Sequence, residues 1–171
     1  MRRTLALVGL VAIGAGLLVA VRPPERGVPP SAPRGHRVFR LSGAPIDGVD
    51  VEMGRRRFGA RRAAAGWRVG DAPATPRTAA ALDDLVETLA SLRAVDVFRP
   101  RDTAAYGLDA PEATITIDTR RGRRRVVLGA PNAAGSAFYA RRDDDPRVMQ
   151  VGSMLLSAIQ RVLYEHDAGR S

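Results

Sequence analysis

The most constraining feature of this sequence is a rigid turn that leads into a predicted β-hairpin, within residues 106–128. Gly107 can adopt a positive φ without a Cβ clash, and Pro111 restricts φ and lacks a backbone donor. Both favour a tight, non-helical turn, which we call the corner and which consists of Tyr106, Gly107, Leu108, Asp109, Ala110 and Pro111. We interpret the corner as a structural element and not as a ligand site.

Alternating residues on either side of a basic turn predict the hairpin itself. Ile115 and Ile117 alternate with polar residues on the first strand, and Val126 and Leu128 occupy alternate positions on the second. A period of two indicates strands with one buried face. The turn region carries the arginines that we predict as a candidate contact for anions, namely Arg120, Arg121, Arg123, Arg124 and Arg125.

An apolar run near the N-terminus predicts a membrane segment. Leu5 to Val21 contains no charged side chain, and Arg2 and Arg3 precede it. The run is longer than most signal-peptide cores, and its end lacks a good cleavage site between small residues. We therefore favour an uncleaved transmembrane anchor in residues 1–21 over a cleaved signal segment. The basic N-terminus favours an extracytoplasmic location for the rest of the chain.

Residues 22–36 are predicted to form a linker, because prolines in this stretch favour an extended polyproline II spacer over a helix. A single α+β domain is predicted over residues 37–165, followed by a polar, frayed tail over residues 166–171. Within the domain, Val38, Phe39 and Leu41 suggest a short first strand.

Two amphipathic helices are predicted beside the strands. Thr75 is a good N-cap, and the helix that it begins carries an apolar stripe with Leu85 and Leu89 and extends to about Arg93. Ser153 is predicted to cap the second helix, near the C-terminus. The resulting architecture is α+β, with an antiparallel, meander-like sheet packed on the first helix and the C-terminal helix closing one end.

The sequence contains no combination of residues that indicates a reaction. His36 and His166 stand in no recognisable catalytic motif. Asp83 and Glu87 are one helical turn apart, as metal ligands can be, but no histidine is near them. The chain has no cysteine, which excludes disulfides and thiolate sites. We predict no enzyme, no cofactor and no metal site.

The net charge of +9 comes entirely from arginine, because the chain contains no lysine. Such a charge is consistent with nucleic-acid binding. An extracytoplasmic location argues against that partner, whereas anionic lipid headgroups remain accessible. We therefore predict no nucleic-acid partner.

The order of motifs resembles the family catalogued as domain of unknown function 4340, over roughly residues 38–163. The motifs that carry the resemblance are Trp67-Arg68-Val69, Pro73 before a leucine-striped helix, the corner, Leu128-Gly129, Tyr139-Ala140-Arg141 and Val148 to Val151. The resemblance implies an N-terminal membrane segment, an extracytoplasmic domain and an association with ABC-transporter systems of the gliding-motility type. It implies no activity and no catalytic residues.

Two functions follow as hypotheses. The first is a membrane-anchored, single-pass interaction module on the extracytoplasmic side, auxiliary to an ABC transporter or an envelope complex. The alternative is an exported soluble protein that binds an anionic envelope polymer or lipid through the arginine-rich hairpin.

Overall fold

The computed structural model describes residues 35–39 and 45–169, which form one antiparallel sheet with two α-helices. The predicted anchor and most of the predicted linker lie outside the described residues. The strands are His36–Arg37 (β1), Ile46–Met53 (β2), Arg56–Ala63 (β3), Gly66–Val69 (β4), Ala72–Pro73 (β5), Arg93–Phe98 (β6), Ala113–Thr119 (β7), Gly122–Pro131 (β8), Ala137–Arg142 (β9) and Val148–Gly152 (β10). The helices are Pro76–Ser91 (α1) and Met154–Ala168 (α2). These elements confirm the α+β class.

The sheet consists of two meanders joined by long-range pairing. Its strand order is β1-β6-β10-β9-β8-β7-β2-β3-β4-β5, so β2 to β5 form one meander and β7 to β10 the other. The junction is the antiparallel pair of β2 and β7, in which Val51 lies opposite Ile115. The predicted hairpin is the pair of β7 and β8, closed by a turn at residues 120–121.

One face of the sheet, which we call the inner face, packs against both helices. Because side chains alternate along a strand, the apolar residues of β2, β7 and β8 share this face. They form one core with the helix stripes, and its fully buried members include Val49, Val51, Ile115, Ile117, Val126, Leu128, Leu82, Leu85, Leu89, Leu155, Ile159 and Leu163. The predicted burial of Leu85 and Leu89 is confirmed.

The first helix begins as predicted but ends earlier. The Thr75 hydroxyl accepts a hydrogen bond from the backbone N–H of Thr78 at 3.2 Å, which confirms the N-cap. The helix ends at Ser91, so the prediction that it includes Arg93 is wrong. Leu92 leaves the helical region, with φ −57° and ψ 124°, and its carbonyl accepts from Val38 N–H at 3.0 Å. Sheet pairing therefore takes over from helix propensity here.

The first strand also differs from the prediction. It consists of His36 and Arg37, which pair with Ala94 and Arg93 of β6. Val38 and Phe39 are buried in the core although they follow the strand. Leu41 lies outside the described residues.

The C-terminal helix lies along α1 instead of closing one end of the sheet. Arg161 Nη1 contacts Asp84 Oδ2 at 2.7 Å, and the Thr78 hydroxyl donates to the Glu165 carbonyl at 3.3 Å. Ser153 occupies the N-cap position, but its side chain makes no capping bond because its backbone is already helical, with φ −61° and ψ −17°.

The helix continues past the predicted start of the polar tail, to Ala168. Tertiary contacts stabilise this last turn. The ring of His166 packs edge-on against Phe58, with centroids 4.9 Å apart, and Asp167 pairs with Arg56. Both partners lie on β3, which the sequence alone does not place beside the C-terminus.

Candidate functional site

The corner begins with a short 3-10 turn, Ala104–Tyr106, that ends at Gly107. Gly107 has φ +68°, in the left-handed region that favours glycine. A Cβ at this position would lie 2.7 Å from the backbone nitrogen of Ala130. Gly107 is therefore required both by its dihedral angle and by the close approach of β8, which confirms the prediction that a Cβ is unfavourable there.

Gly129 on β8 provides the other side of this contact. Leu128 points into the core, so the alternation along β8 directs position 129 to the opposite, outer face of the sheet. A Cβ on Gly129 would overlap the carbonyl oxygen of Tyr106. The corner thus lies on the outer face, in backbone contact with β8. The Tyr-Gly-Leu and Leu-Gly motifs singled out in the sequence are two halves of one packing contact.

Three aromatic side chains pack together at this contact. Tyr106 meets Tyr139 edge-on with ring centroids 4.8 Å apart, and it meets Phe98 at 5.3 Å. Phe98 and Tyr139 are 6.3 Å apart. Edge-to-face pairs at these distances add stability beyond the buried area. The cluster ties the corner to β6 and β9, a role for Phe98 that sequence reasoning missed because Phe98 is distant in the chain from Tyr139.

The remaining corner residues complete the fold of the loop. Leu108 is 4% exposed, which confirms its burial. It does not belong to the main core, which fills the space between the inner face and the helices. Asp109 accepts a hydrogen bond from the Thr103 hydroxyl at 3.3 Å, and Pro111 is exposed just before β7. These contacts lie within the domain, and the structural role of the corner stays a prediction that Tyr106→Phe tests.

The arginines of the predicted anion contact divide into paired and unpaired groups. Arg123 Nε contacts Asp118 Oδ1 at 2.8 Å, and Arg61 binds both carboxylate oxygens of Asp50 at 2.9 and 2.8 Å. Arg61 also lies 3.3 Å from Asp118, which links the two pairs into a network across β3, β2, β7 and β8. Hydrogen bonding from Arg123 lowers the pKa of Asp118, and hydrogen bonding to Asp50 raises the pKa of Arg61.

The other hairpin arginines have fewer contacts with carboxylates. Arg124 lies 3.9 Å from Asp144 and donates to the carbonyl of Arg123. Within the described part of the chain, Arg120, Arg121 and Arg125 have no acidic partner. Three of the five arginines therefore lack a carboxylate partner among the described residues, because Asp118 lies opposite Arg123 and Asp144 lies 3.9 Å from Arg124.

A second polar cluster joins the sheet to α1. Trp67 Nε1 donates to Asp83 Oδ1 at 2.9 Å, and Arg62 contacts the same oxygen at 2.5 Å while its guanidinium lies 4.3 Å from the Trp67 ring centroid. The hydrogen bond from Trp67 lowers the pKa of Asp83. Asp83 thus holds β3 and β4 against α1. Among the described residues, no group of three or more acidic or histidine side chains is placed to hold a metal ion.

The two histidines take no part in these polar clusters. His36 is exposed at the edge strand β1, and His166 lines a cavity of about 500 Å³ together with Phe58, Val69 and Pro73. Within residues 35–39 and 45–169, no helix is long and apolar enough to span a membrane. The predicted anchor is not among these residues.

The comparisons with known proteins agree with the motif order. No curated protein and no solved structure matches the chain. A family model described as "Domain of unknown function (DUF4340)" matches residues 67–163. This range includes the corner, the Leu128-Gly129 contact, all three aromatic residues of the cluster, the whole of α1 and α2 as far as Leu163. Because the match covers more than half of the sequence, the chain belongs to this family of domain of unknown function 4340.

Proposed function

We propose that the chain is a membrane-anchored, extracytoplasmic interaction module that serves as an auxiliary component of an ABC-transporter or envelope complex. Family membership supports this proposal, because the resemblance implies a membrane segment, an extracytoplasmic domain and an ABC-transporter association. The apolar run from Leu5 to Val21 and the preceding arginines support a single-pass anchor with its N-terminus in the cytoplasm.

The observation that carries an interaction role is the open half of the outer face. The helices cover the inner face, and the corner covers the outer face only around β6, β9 and the end of β8. Over β2, β3, β7 and the start of β8, the described chain leaves charged side chains and the half-buried Thr116 accessible. The paired charges of Asp50, Arg61, Asp118 and Arg123 hold this surface in a defined arrangement.

A preorganised polar surface of this kind suits a specific protein partner, since matching charges determine orientation and exclude wrong partners. We identify the partner class as a membrane subunit of an ABC transporter, because the anchor places the domain beside such proteins. The open half of the outer face is the surface through which the contact occurs.

The anchor is tested first, with a C-terminally tagged full-length chain. It is expected to stay in the membrane fraction after alkaline extraction and to retain Leu5 to Val21. A mature N-terminus beyond Val21, together with release of the chain from membranes, would contradict the anchor and favour an exported soluble protein.

The partner contact is tested by cross-linking, for which the absence of cysteine is an advantage. Thr116→Cys places one thiol on the open half of the outer face, and Gln160→Cys places one on the exposed side of α2 as a matched control. We expect an adduct with an ABC-transporter subunit, identified by mass spectrometry, from Thr116→Cys alone. Equal adducts from both positions, or none with such a subunit, would contradict the proposed surface.

A further inference from the structure

We infer that Arg125 and Arg141 form a binding site for a singly charged phosphodiester, the headgroup of an anionic phospholipid. The site goes beyond the proposed protein contact, and it lies on the outer face at the junction of β8 and β9. Arg141 was not among the residues that sequence reasoning selected for anion binding. The pairing register is the signal that brings it beside Arg125.

The register places both arginines on one face. Arg141 lies opposite Val127 on the neighbouring strand, and Arg125 precedes Val127 by two residues on β8. Side chains at such diagonal positions are separated by roughly 7 Å at Cβ, which long side chains span easily. Both arginines and Val127 line one shallow depression of about 520 Å³. The two guanidinium groups can therefore approach one ligand from two sides.

Neither of the two arginines is paired with a carboxylate among the described residues. Neighbouring arginines contact carboxylates: Arg123 binds Asp118, and Arg142 Nε binds Asp144 Oδ1 at 2.6 Å. Within residues 35–39 and 45–169, neither Arg125 nor Arg141 has an ion pair or a side-chain hydrogen bond. The two like charges on this face repel each other, and Asp143 can offset only one of them. A bound anion would remove this repulsion.

The acidic residues around the depression determine what kind of anion fits. Asp144 forms an ion pair with Arg142. Asp145 binds Arg147 through both carboxylate oxygens, which lowers the pKa of Asp145 to about 2. Asp143 is the remaining carboxylate of the depression, and its backbone N–H donates to the Arg125 carbonyl at 3.1 Å. Two free arginines and one free aspartate leave a single positive charge, which matches a phosphodiester better than a doubly charged phosphate.

The depression also has an apolar part, formed by Val127 and Pro146. An arginine fork beside apolar groups suits a phosphodiester that carries glycerol on either side. The choice of a lipid as its source rests on the proposed anchor, because an anchored domain would stay close to a bilayer. The oxyanion site itself rests only on the geometry of β8 and β9.

The test uses the full-length chain in neutral detergent, with a fluorophore attached to Thr116→Cys, the position opposite Arg125. The probes are dihexanoyl phosphatidylglycerol, dihexanoyl phosphatidylcholine as a control for partition into detergent, and inorganic phosphate. We expect a saturable response to phosphatidylglycerol alone, which weakens as ionic strength rises. Binding of these soluble probes does not depend on the anchor. A lack of phosphatidylglycerol binding would therefore refute the arginine site and leave the membrane-extraction test of the anchor unaffected.

Matched variants separate the site from bulk charge. Arg125→Gln with Arg141→Gln is expected to weaken phosphatidylglycerol binding about tenfold or more. Arg55→Gln with Arg77→Gln removes the same charge from two exposed arginines elsewhere and is expected to leave binding within about twofold. Asp143→Asn is expected to strengthen binding, an effect that misfolding cannot produce.

Three results would overturn the inference. Equal responses to both lipids would show partition and no headgroup site. Equal losses in the two double variants would show a non-specific charge effect. An equal response to inorganic phosphate would exclude a lipid headgroup as the specific ligand.

Discussion

Replacing Gly107 with alanine is expected to destabilise the domain by roughly 2–5 kcal/mol, for two separable reasons. The left-handed φ of +68° costs an alanine roughly 1–2 kcal/mol. The added Cβ would also lie 2.7 Å from Ala130 N and 3.0 Å from Ala130 Cβ. Inserting a methyl group into such a contact typically costs roughly a further 1–3 kcal/mol, because the backbone must move.

Gly135 offers a matched control within the same chain. It has the same φ of +68°, but a Cβ there would meet no atom within 4 Å. Gly135→Ala is therefore expected to cost only the backbone term, roughly 1–2 kcal/mol. The difference between the two variants isolates the packing of the corner against β8.

The assay is urea unfolding of the full-length chain in neutral detergent, followed by the fluorescence of Trp67. Trp67 is the only tryptophan in the sequence and is 4% exposed, so its emission reports loss of the core. Midpoints are compared at constant slope, so that the shift gives the change in the free energy of unfolding. If Gly107→Ala is no more destabilising than Gly135→Ala, the close approach of the corner to β8 is refuted.

Three further predictions concern the core, the corner and the acid sensitivity of the fold. Leu85→Ala is expected to lower the free energy of unfolding by roughly 2–5 kcal/mol, because the side chain is fully buried; a change well under 1 kcal/mol, roughly, would refute its place in the core. Tyr106→Phe is expected to change the free energy of unfolding by less than roughly 0.5 kcal/mol, because the hydroxyl makes no hydrogen bond within the described residues. Loss of partner binding at an unchanged melting temperature would show that the corner is a ligand site. Asp145 has its pKa lowered from 3.8 to about 2 by Arg147, so its contribution is complete above pH 4 and is lost as the pH falls towards 2. The stability gap between wild type and Asp145→Asn, measured by thermal unfolding, is expected to close over that range, and a constant gap would contradict the ion pair.

Local patterns in the sequence determined most of the elements. Ile115 and Ile117 alternate with polar residues because their strand has one buried face, and this pattern is visible without any tertiary information. The start of α1 at Thr75 depends on a cap within the same segment, so it too was predictable. The end of α1 was not, because the carbonyl of Leu92 is taken by Val38, more than fifty positions away in the chain.

The charged groups show the same division between local and long-range information. The sequence identified a cluster of hairpin arginines, but only strand register decided which of them meet a carboxylate. Arg123 faces Asp118 across the hairpin, whereas Arg125 faces Thr116 and has no ion pair with any residue that the structure describes. A shift of one residue would reverse the faces of all these side chains. The same register brings Arg141 beside Arg125, from a strand with no local signal for anion binding.

The sequence by itself determined the family, the α+β class and the need for glycine at position 107. Only the tertiary structure revealed why Gly129 accompanies it, because the overlap with Tyr106 arises between residues that are distant in the chain. The junction of β2 with β7 likewise depends on matching two buried faces across the sheet, and no local pattern specifies which strands become neighbours. Local propensity thus determined the elements, and burial of apolar faces determined their arrangement.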